Sequence, residues 1–218
     1  QALSMAIDRW GGSEPLAKIS LLKYVSGLLR PGYDMGLPPA ELEKLPGDVA
    51  VGHTRYSTTG STVLANAQPC LVNYRAGSLS VAHNGNLTNA AEIKQALVER
   101  GSIFASSSDT EVLVHLIARS EAPDAEMQIR SALERVEGAY SLVIGVGRTL
   151  YAVVDPRGFR PLVLGRIGKG IVAASETCAL DLIDAEWVRD IEPGEVFVVG
   201  PDGPKSLHPF APARSAHC

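Results

Sequence analysis

The segment Val-Ala-His-Asn-Gly-Asn-Leu-Thr-Asn at residues 81–89 decides how this chain is interpreted. An apolar run ends there in Asn84-Gly85, a pair that usually marks a hairpin because both residues tolerate positive φ. The next residues, Thr88 to Glu92, lack the alternation of a second strand and are typical of a helix cap and first turn. We therefore expect a strand that ends at Asn84-Gly85 and then turns into a helix. Such an end leaves a carboxamide and a backbone N–H free to form an oxyanion hole.

The composition is that of an ordinary globular protein of one domain. Among its 218 residues, 45% are hydrophobic and 20% are charged, which is enough for a sizeable core. The net charge of -4 and the pI near 5.7 give no reason to expect nucleic acid as a partner. The longest apolar runs, such as residues 141–146, are too short to cross a membrane. Three widely spaced cysteines form no metal or redox motif, which favours a reducing, cytoplasmic setting.

Helical patterns dominate the first two thirds of the chain, and strand patterns dominate the rest. The predicted helices cover about residues 13–30, 38–45, 89–100, 108–117, 125–135 and 177–182, with Ser108 and Glu111 forming a capping box. The predicted strands cover residues 48–53, 70–74, 78–83, 139–146, 149–154, 161–164, 170–174, 187–191 and 195–199. From Pro201 the sequence is rich in proline and is expected to be irregular. This order of elements predicts a layered α+β fold and not an alternating α/β fold.

Four residues at predicted strand or helix ends suit a site for an α-amino acid. Arg55 fits a carboxylate or phosphate, although a surface arginine beside a solvated loop would give the same pattern. Asp109 fits an ammonium group, although the helix dipole would favour an acid there in any protein. With Asn84 and Gly85 as oxyanion donors, the set would bind both charged α-groups and a developing negative oxygen. Spacing along the chain does not show that these residues meet.

Several motifs resemble a known family. The first set is His53-Thr54-Arg55-Tyr56-Ser57-Thr58, Ala67-Gln68-Pro69, Ala82-His83-Asn84-Gly85-Asn86-Leu87-Thr88-Asn89 and Ser107-Ser108-Asp109-Thr110-Glu111. In this order they resemble the class II glutamine amidotransferase domain. A second set narrows the resemblance to the amidophosphoribosyltransferases within that family: Gly138-Ala139-Tyr140-Ser141, Asp155-Pro156-Arg157-Gly158-Phe159-Arg160-Pro161-Leu162, Ala174-Ser175-Glu176-Thr177 and Ile191-Glu192-Pro193-Gly194-Glu195. The resemblance covers about residues 47–199.

The resemblance implies an N-terminal-nucleophile hydrolase fold, a four-layer αββα sandwich with two antiparallel sheets. In that family, a cysteine at the start of the mature chain attacks the side-chain amide of glutamine, which gives a thioester and ammonia. Asn84, through its side chain, and Gly85, through its backbone N–H, would then form the oxyanion hole. The substrate-binding residues that the resemblance implies are Arg55, Asp109, Tyr56 and His83.

The resemblance also implies a longer parent protein. In the family, ammonia passes to a phosphoribosyltransferase domain, which makes 5-phosphoribosylamine from PRPP in purine biosynthesis. The parent would use Mg²⁺ with PRPP, and Cys218 stands where some members place the first ligand of a 4Fe-4S cluster. We expect no cofactor in this chain itself and a homo-oligomeric parent. The corresponding parts are a divergent segment at 1–46, the amidotransferase domain at 47–200, and an irregular connector at 201–218.

Residues 1–46 depart from the family pattern. They contain neither the initial Cys-Gly motif nor the His-Arg-Gly-Gln segment of family members, and we predict no strand in them. Cys70 and Cys178 lie in apolar segments and have no free α-amine, so both are expected to be buried and structural. We therefore expect the domain to be incomplete at its N-terminus and this chain to be inactive alone. The alternative is a non-catalytic module that binds glutamine or supports a partner enzyme.

Overall fold

Two antiparallel sheets form the centre of the described structure. The computed structural model describes residues 3–8, 49–54 and 64–210. The strands are β1 (Leu3–Asp8), β2 (Val49–Thr54), β3 (Cys70–Tyr74), β4 (Gly77–Leu87), β5 (Gly138–Val146), β6 (Thr149–Val154), β7 (Val163–Ile167), β8 (Gly170–Ala174), β9 (Glu186–Asp190), β10 (Val196–Gly200) and β11 (Gly203–Leu207). The helices are α1 (Ala90–Glu99), α2 (Thr110–Arg119), α3 (Ala125–Leu133) and α4 (Cys178–Asp181), with a 3-10 turn at Leu64–Asn66. The strand orders are β2-β1-β8-β7-β9 and β11-β10-β6-β5-β4-β3.

Apolar cores separate the layers of the sandwich. The largest core lies between the six-stranded sheet and helices α1 to α3, and it includes Leu79 of β4 and Leu113 of α2. A second core fills the space between the two sheets and includes Ala82 and Ala173. A third core joins the five-stranded sheet to α4 through residues such as Leu180. The arrangement confirms the predicted α+β fold with its αββα layers.

Strand β4 shows how the sequence sets the two faces of the six-stranded sheet. Side chains alternate along a strand, and Val81 lies in the helix-side core whereas Ala82 lies between the sheets. The same alternation places His83 on the helix side and Asn84 between the sheets. β4 pairs with β5 along most of its length, with Asn84 opposite Ser141. One strand therefore carries candidate site residues on both of its faces.

Strand β4 continues through Asn84-Gly85 instead of ending there. It extends to Leu87, and Gly85 is opposite Tyr140 of β5 in the register. The expected strand end is therefore wrong, because β5 offers this segment a continuous antiparallel partner that outweighs the local turn preference. The second part of the expectation is confirmed, since Asn89 is the N-cap of a helix that starts at Ala90.

Strands β1 and β11 lie where none was predicted. β1 pairs with both β2 and β8, so it is an interior strand of the five-stranded sheet although no strand was expected in residues 1–46. β11 pairs with β10 in a stretch that was expected to be irregular. As an edge strand, β11 can include Pro204, which lacks a backbone N–H. The helices predicted over residues 13–30 and 38–45 lie outside the described residues.

The loop before α2 is held by Glu111, although not through the predicted capping box. The Glu111 carboxylate accepts the backbone N–H of Ser106 at 2.8 Å, whereas the N–H of Ser108 donates to Ser106 Oγ at 3.2 Å. Ser108 Oγ itself accepts the N–H of Thr110 at 3.3 Å. The N-cap of α2 is Asp109. These bonds fix the loop immediately before Asp109 against the first turn of the helix.

A buried carboxylate joins the two sheets. Glu195, just before β10, is 1% exposed and accepts hydrogen bonds from the Arg189 guanidinium of β9 at 2.8 and 2.6 Å. It also accepts the Ser206 hydroxyl of β11 at 2.7 Å and the backbone N–H of Glu192 at 2.8 Å. Burial alone would raise the pKa of Glu195, but these donors outweigh it and hold the pKa below its ordinary value.

Replacing Glu195 with glutamine is expected to destabilise the domain by about 1 to 3 kcal/mol at neutral pH, because Arg189 loses its partner. Since the folded-state pKa lies below the ordinary value of 4.5, this stabilisation is complete above that pH and is lost as the pH falls below it. Urea unfolding at about pH 7 and about pH 3 measures both states. The difference between wild type and variant should shrink at the lower pH, whereas the exposed control Glu186→Gln should change little. A difference that stays equal at both pH values would contradict the ionic role.

Candidate functional site

Two buried polar atoms on neighbouring strands lack a described partner. Asn84 of β4 and Ser141 of β5 are directly opposite in the register, and Ser141 is 1% exposed. Asn84 Oδ1 and Ser141 Oγ are both buried, and neither has a hydrogen-bond partner among the residues that the structure describes. Buried polar atoms are almost always paired in folded proteins. This place between the sheets is therefore suited to receive a polar group from a ligand.

Gly85 follows Asn84 at a backbone position that requires glycine. Its φ is +134°, and a Cβ there would lie 2.0 Å from the carbonyl oxygen of Ala139. Gly138 on β5 is constrained in the same way, because its φ is +144° and a Cβ would lie 2.2 Å from the carbonyl oxygen of Asn86. The two backbones approach each other more closely than side chains would allow. This approach fixes the Gly85 backbone beside the Asn84 carboxamide, so the two donor types of an oxyanion hole are adjacent.

On the opposite face of β4, His83 contacts the start of α2. His83 Nδ1 lies 3.3 Å from Thr110 Oγ1 and 3.6 Å from Asp109 Oδ1, and the second distance is in ion-pair range but too long for a good hydrogen bond. Asp109 Oδ2 accepts the backbone N–H of Leu87 at 3.0 Å. Burial alone would raise the pKa of Asp109, but His83 and the N–H groups of Leu87 and Thr110 outweigh it and lower the pKa. Asp109 is therefore an anion at neutral pH, with 12% of its side chain exposed.

Gln68 links β4 and α2 from the loop before β3. Its Oε1 accepts the backbone N–H of His83 at 2.7 Å, and its Nε2 donates to Thr110 Oγ1 at 3.1 Å. Gln68, Thr110 and Ser141 each stand in a motif that carried the family resemblance, but no role was predicted for them from the sequence. For Thr110 and Ser141, a polar residue next to the apolar positions of a predicted helix or strand is the signal that could have identified them, whereas Gln68 lies in a loop and gives no such signal.

The structure brings the predicted site residues together in two pairs. Asn84 and Gly85 are adjacent on β4, and His83 contacts Asp109. The Asn84 side chain lies between the sheets, whereas the His83 ring lies on the helix side with only 1% of its side chain exposed. His83 therefore presents almost no surface to a ligand. Arg55, Tyr56 and Cys218 lie outside the described residues.

Neither described cysteine is prepared to act as a nucleophile. Cys70 of β3 is partly buried, and burial, followed by the nearby Glu111 and Asp109 carboxylates, raises the pKa of its thiol to about 11. Cys178 is exposed at the start of α4, so the expectation that it is buried is wrong. Desolvation and the neighbouring Glu176 carboxylate, which lies 3.4 Å from its sulfur, also raise the pKa of this thiol. Because the thiolate is the reactive form, both thiols are poor nucleophiles at neutral pH.

The described residues contain neither a metal-binding cluster nor a membrane-spanning helix. In the part of the chain that the structure describes, no group of three or more His, Cys, Asp or Glu side chains could hold a metal ion. Within the same ranges, no helix has both the length and the apolar character needed to span a bilayer.

Sequence comparison places these residues in a family. A family model described as a glutamine amidotransferase domain matches residues 53–182, which is more than half of the chain. The chain belongs to this glutamine amidotransferase family. The matched residues include Asn84, Gly85 and Asp109, and therefore candidate site residues from both faces of β4.

The amidotransferase domain is also similar to longer proteins. It is 56% identical over 167 residues to amidophosphoribosyltransferase 2, chloroplastic, of Arabidopsis thaliana. The aligned region covers 76% of this chain and 30% of the relative. It is 46% identical over 167 residues to amidophosphoribosyltransferase of Bacillus subtilis. This aligned region covers 76% of the chain and 35% of that protein. The chain thus spans about a third of the length of these curated relatives.

A solved structure supports the same assignment. The structure is that of glutamine phosphoribosylpyrophosphate amidotransferase from B. subtilis, complexed with ADP and GMP. It superimposes on this chain with a TM-score of 0.85 and 36% sequence identity, and the matched region covers 99% of this chain and 51% of the B. subtilis chain. The match confirms that the amidotransferase domain has the expected N-terminal-nucleophile hydrolase fold.

Proposed function

We propose that this domain binds glutamine and hydrolyses its side-chain amide to glutamate and ammonia. The observation that carries the proposal is the Asn84-Gly85 element, in which the half-buried Asn84 carboxamide adjoins a glycine backbone that packs closely against Ala139. Amide hydrolysis places negative charge on the former amide oxygen, and preorganised N–H donors stabilise that charge. Membership of the amidotransferase family supports the same reaction class.

The proposed mechanism assigns each group one step. The thiolate of an N-terminal cysteine in the intact protein attacks the side-chain carbonyl carbon of glutamine, and the carbonyl electron pair moves onto oxygen. Asn84 Nδ2 and the Gly85 N–H donate to that oxygen. Its collapse breaks the carbon–nitrogen bond and expels ammonia once the nitrogen is protonated, and water then releases glutamate from the thioester. Asp109 binds the α-ammonium group and Arg55 the α-carboxylate throughout.

We further propose that the intact protein is an amidophosphoribosyltransferase. In it, ammonia would pass to a phosphoribosyltransferase domain that makes 5-phosphoribosylamine from PRPP in purine biosynthesis. The names of the relatives and the Asp-Pro-Arg-Gly-Phe-Arg-Pro-Leu segment at residues 155–162 support this. Mg²⁺ would act with PRPP in that domain, a 4Fe-4S cluster with Cys218 as one ligand would belong to the parent, and the parent would be a homo-oligomer. The proposed setting is cytoplasmic, and the plant relatives are named as chloroplastic.

A second candidate is a module that binds glutamine without turning it over. The observation in its favour is that the two described cysteines, Cys70 and Cys178, are held in the thiol form at neutral pH. Steady ammonia release by the intact protein, isolated with its native N-terminus, would support the enzyme. Saturable glutamine binding without ammonia release would support the module.

Glutamine binding tests the site itself. Calorimetric titration of the 218-residue chain with L-glutamine is expected to show saturable binding. Asp109→Asn should weaken it by roughly tenfold or more, because a neutral amide cannot offset the charge of the α-ammonium group. Asp202→Asn, which changes an exposed carboxylate between β10 and β11, is the matched control and should bind as wild type does. Equal affinities in all three proteins would remove Asp109 from the site, and Arg55→Ala tests the α-carboxylate contact in the same assay.

A further inference from the structure

His83, whose side chain lies beside Asp109, is held in turn by the side chains of Gln68 and Thr110. We define the Asp109 clamp as Gln68, His83 and Thr110. Thr110 is fully buried and His83 is 5% exposed, so the clamp belongs to the interior and does not line an open surface. It connects three separate parts of the chain: the loop before β3, strand β4 and the start of α2.

The contacts of the clamp form a closed ring. Gln68 accepts the backbone N–H of His83 at 2.7 Å and donates to Thr110 Oγ1 at 3.1 Å. Thr110 Oγ1 lies 3.3 Å from Nδ1 of the same His83. The histidine is thus held at both its backbone and its ring by two partners that are bonded to each other. Its Nδ1 is thereby kept 3.6 Å from Asp109 Oδ1.

The other carboxylate oxygen ties Asp109 to the strand that carries the oxyanion donors. Asp109 Oδ2 accepts the N–H of Leu87, which lies two residues beyond Gly85 on β4. Asp109 is therefore fixed on one side by the clamp and on the other by the backbone of β4. Both contacts tie Asp109 to β4, the strand that also carries Asn84 and Gly85.

We propose that Gln68, His83 and Thr110 are positioning residues that hold Asp109 at a fixed distance from Asn84-Gly85, so that one glutamine can place its α-ammonium group and its side-chain amide correctly at the same time. This rests on the proposed function of the site. It also gives His83 a different task from the substrate contact that the family resemblance implied, in line with its buried ring.

Fold stability alone does not account for a histidine at this position. His83 Nε2 is buried without a hydrogen-bond partner in the described residues, and an apolar side chain at this buried position would avoid that cost. The unpaired nitrogen is tolerated because the other nitrogen of the ring faces Thr110 and Asp109. Buried polar groups with such a cost are retained where they specify a geometry.

The test compares two ligands that differ only at the group that Asp109 would bind. L-glutamine carries the α-ammonium group, whereas glutaramic acid has the same side-chain amide and carboxylate without it. In calorimetric titrations, Thr110→Val is expected to weaken glutamine binding by roughly tenfold and to change glutaramic acid binding by less than about twofold. Thr110→Ser keeps the hydroxyl and should restore glutamine affinity.

The outcomes separate the clamp from a merely structural role and from failure of the proposed function. Equal weakening for both ligands, or unchanged glutamine binding in Thr110→Val, would overturn the positioning role. If the wild-type chain binds neither ligand, the proposed function fails. The clamp is then tested by NMR titration, which measures the pKa of the Asp109 carboxyl group. A pKa that rises toward the ordinary value in Thr110→Val but not in Thr110→Ser supports the clamp, and an unchanged titration overturns it.

Discussion

Replacing Asn84 with alanine is expected to remove about 3 to 4 kcal/mol of transition-state stabilisation, which lowers kcat for glutamine hydrolysis by roughly 10²- to 10³-fold. The carboxamide lies beside Gly85 on β4, where negative charge would develop on the amide oxygen. Because that contact strengthens as charge develops, the loss should appear in kcat and much less in KM. The measurement is ammonia release by the intact protein isolated with its native N-terminus.

Two controls separate loss of the oxyanion donor from general damage. Asn73→Ala, which removes an exposed carboxamide from β3, should leave ammonia release unchanged. In the proposed amidophosphoribosyltransferase, synthesis of phosphoribosylamine from added ammonium chloride should survive in Asn84→Ala, since free ammonia bypasses the glutaminase step. A kcat within about threefold of wild type would remove Asn84 from the oxyanion hole.

Residue types suggested a chemical role for residues 81–89, whereas their geometry depended on contacts with distant parts of the chain. The predicted oxyanion donors rest on the amide of Asn84 and its neighbour Gly85, and the helix start at Ala90 followed from local capping signals. The end of the strand could not be predicted in the same way. Whether β4 stops at Gly85 depends on β5, a distant strand that begins with Gly138 and so can approach the Gly85 backbone closely.

The sheets show the same division between local and long-range information. Strand bounds such as Thr149–Val154 and Gly170–Ala174 followed from apolar runs between turns. β1 was missed although Leu3, Met5 and Ile7 alternate with small or polar residues, and β11 was missed because Pro204 lowers strand propensity. β1 is stabilised as a strand by pairing with β2 and β8, and β11 by pairing with β10. Such pairing depends on distant residues, so the sequence of one segment alone does not predict it.

The contacts around Asp109 could not be predicted from the sequence at all. The family motifs identified Asp109 and His83 as separate candidates, whereas the contact between them depends on how α2 packs against β4. The Gln68 side chain donates a hydrogen bond to Thr110, which lies 42 positions later in the sequence. No sequence pattern predicts such a bond for a glutamine in a loop. Residue types therefore suggest which donors and charges could form a site, whereas packing determines which of them meet.

Replacing Gly85 with alanine is expected to destabilise the domain by about 3 to 5 kcal/mol, since two penalties add at this position. A φ of +134° strains any residue with a Cβ, and that Cβ would lie 2.0 Å from the Ala139 carbonyl oxygen. Backbone atoms cannot move aside as a flexible side chain can, so β4 and β5 must separate where they carry the site. Urea unfolding of the 218-residue chain measures the loss.

Gly77→Ala is the matched control for Gly85→Ala. Gly77 has a φ of +106°, but nothing lies within 4 Å of its Cβ position, so only the backbone penalty of about 1 to 2 kcal/mol applies. The difference between the two variants therefore isolates the close approach of β4 to β5. Equal losses would show that Ala139 does not limit this approach, and glycine would then be needed at position 85 for its backbone conformation alone.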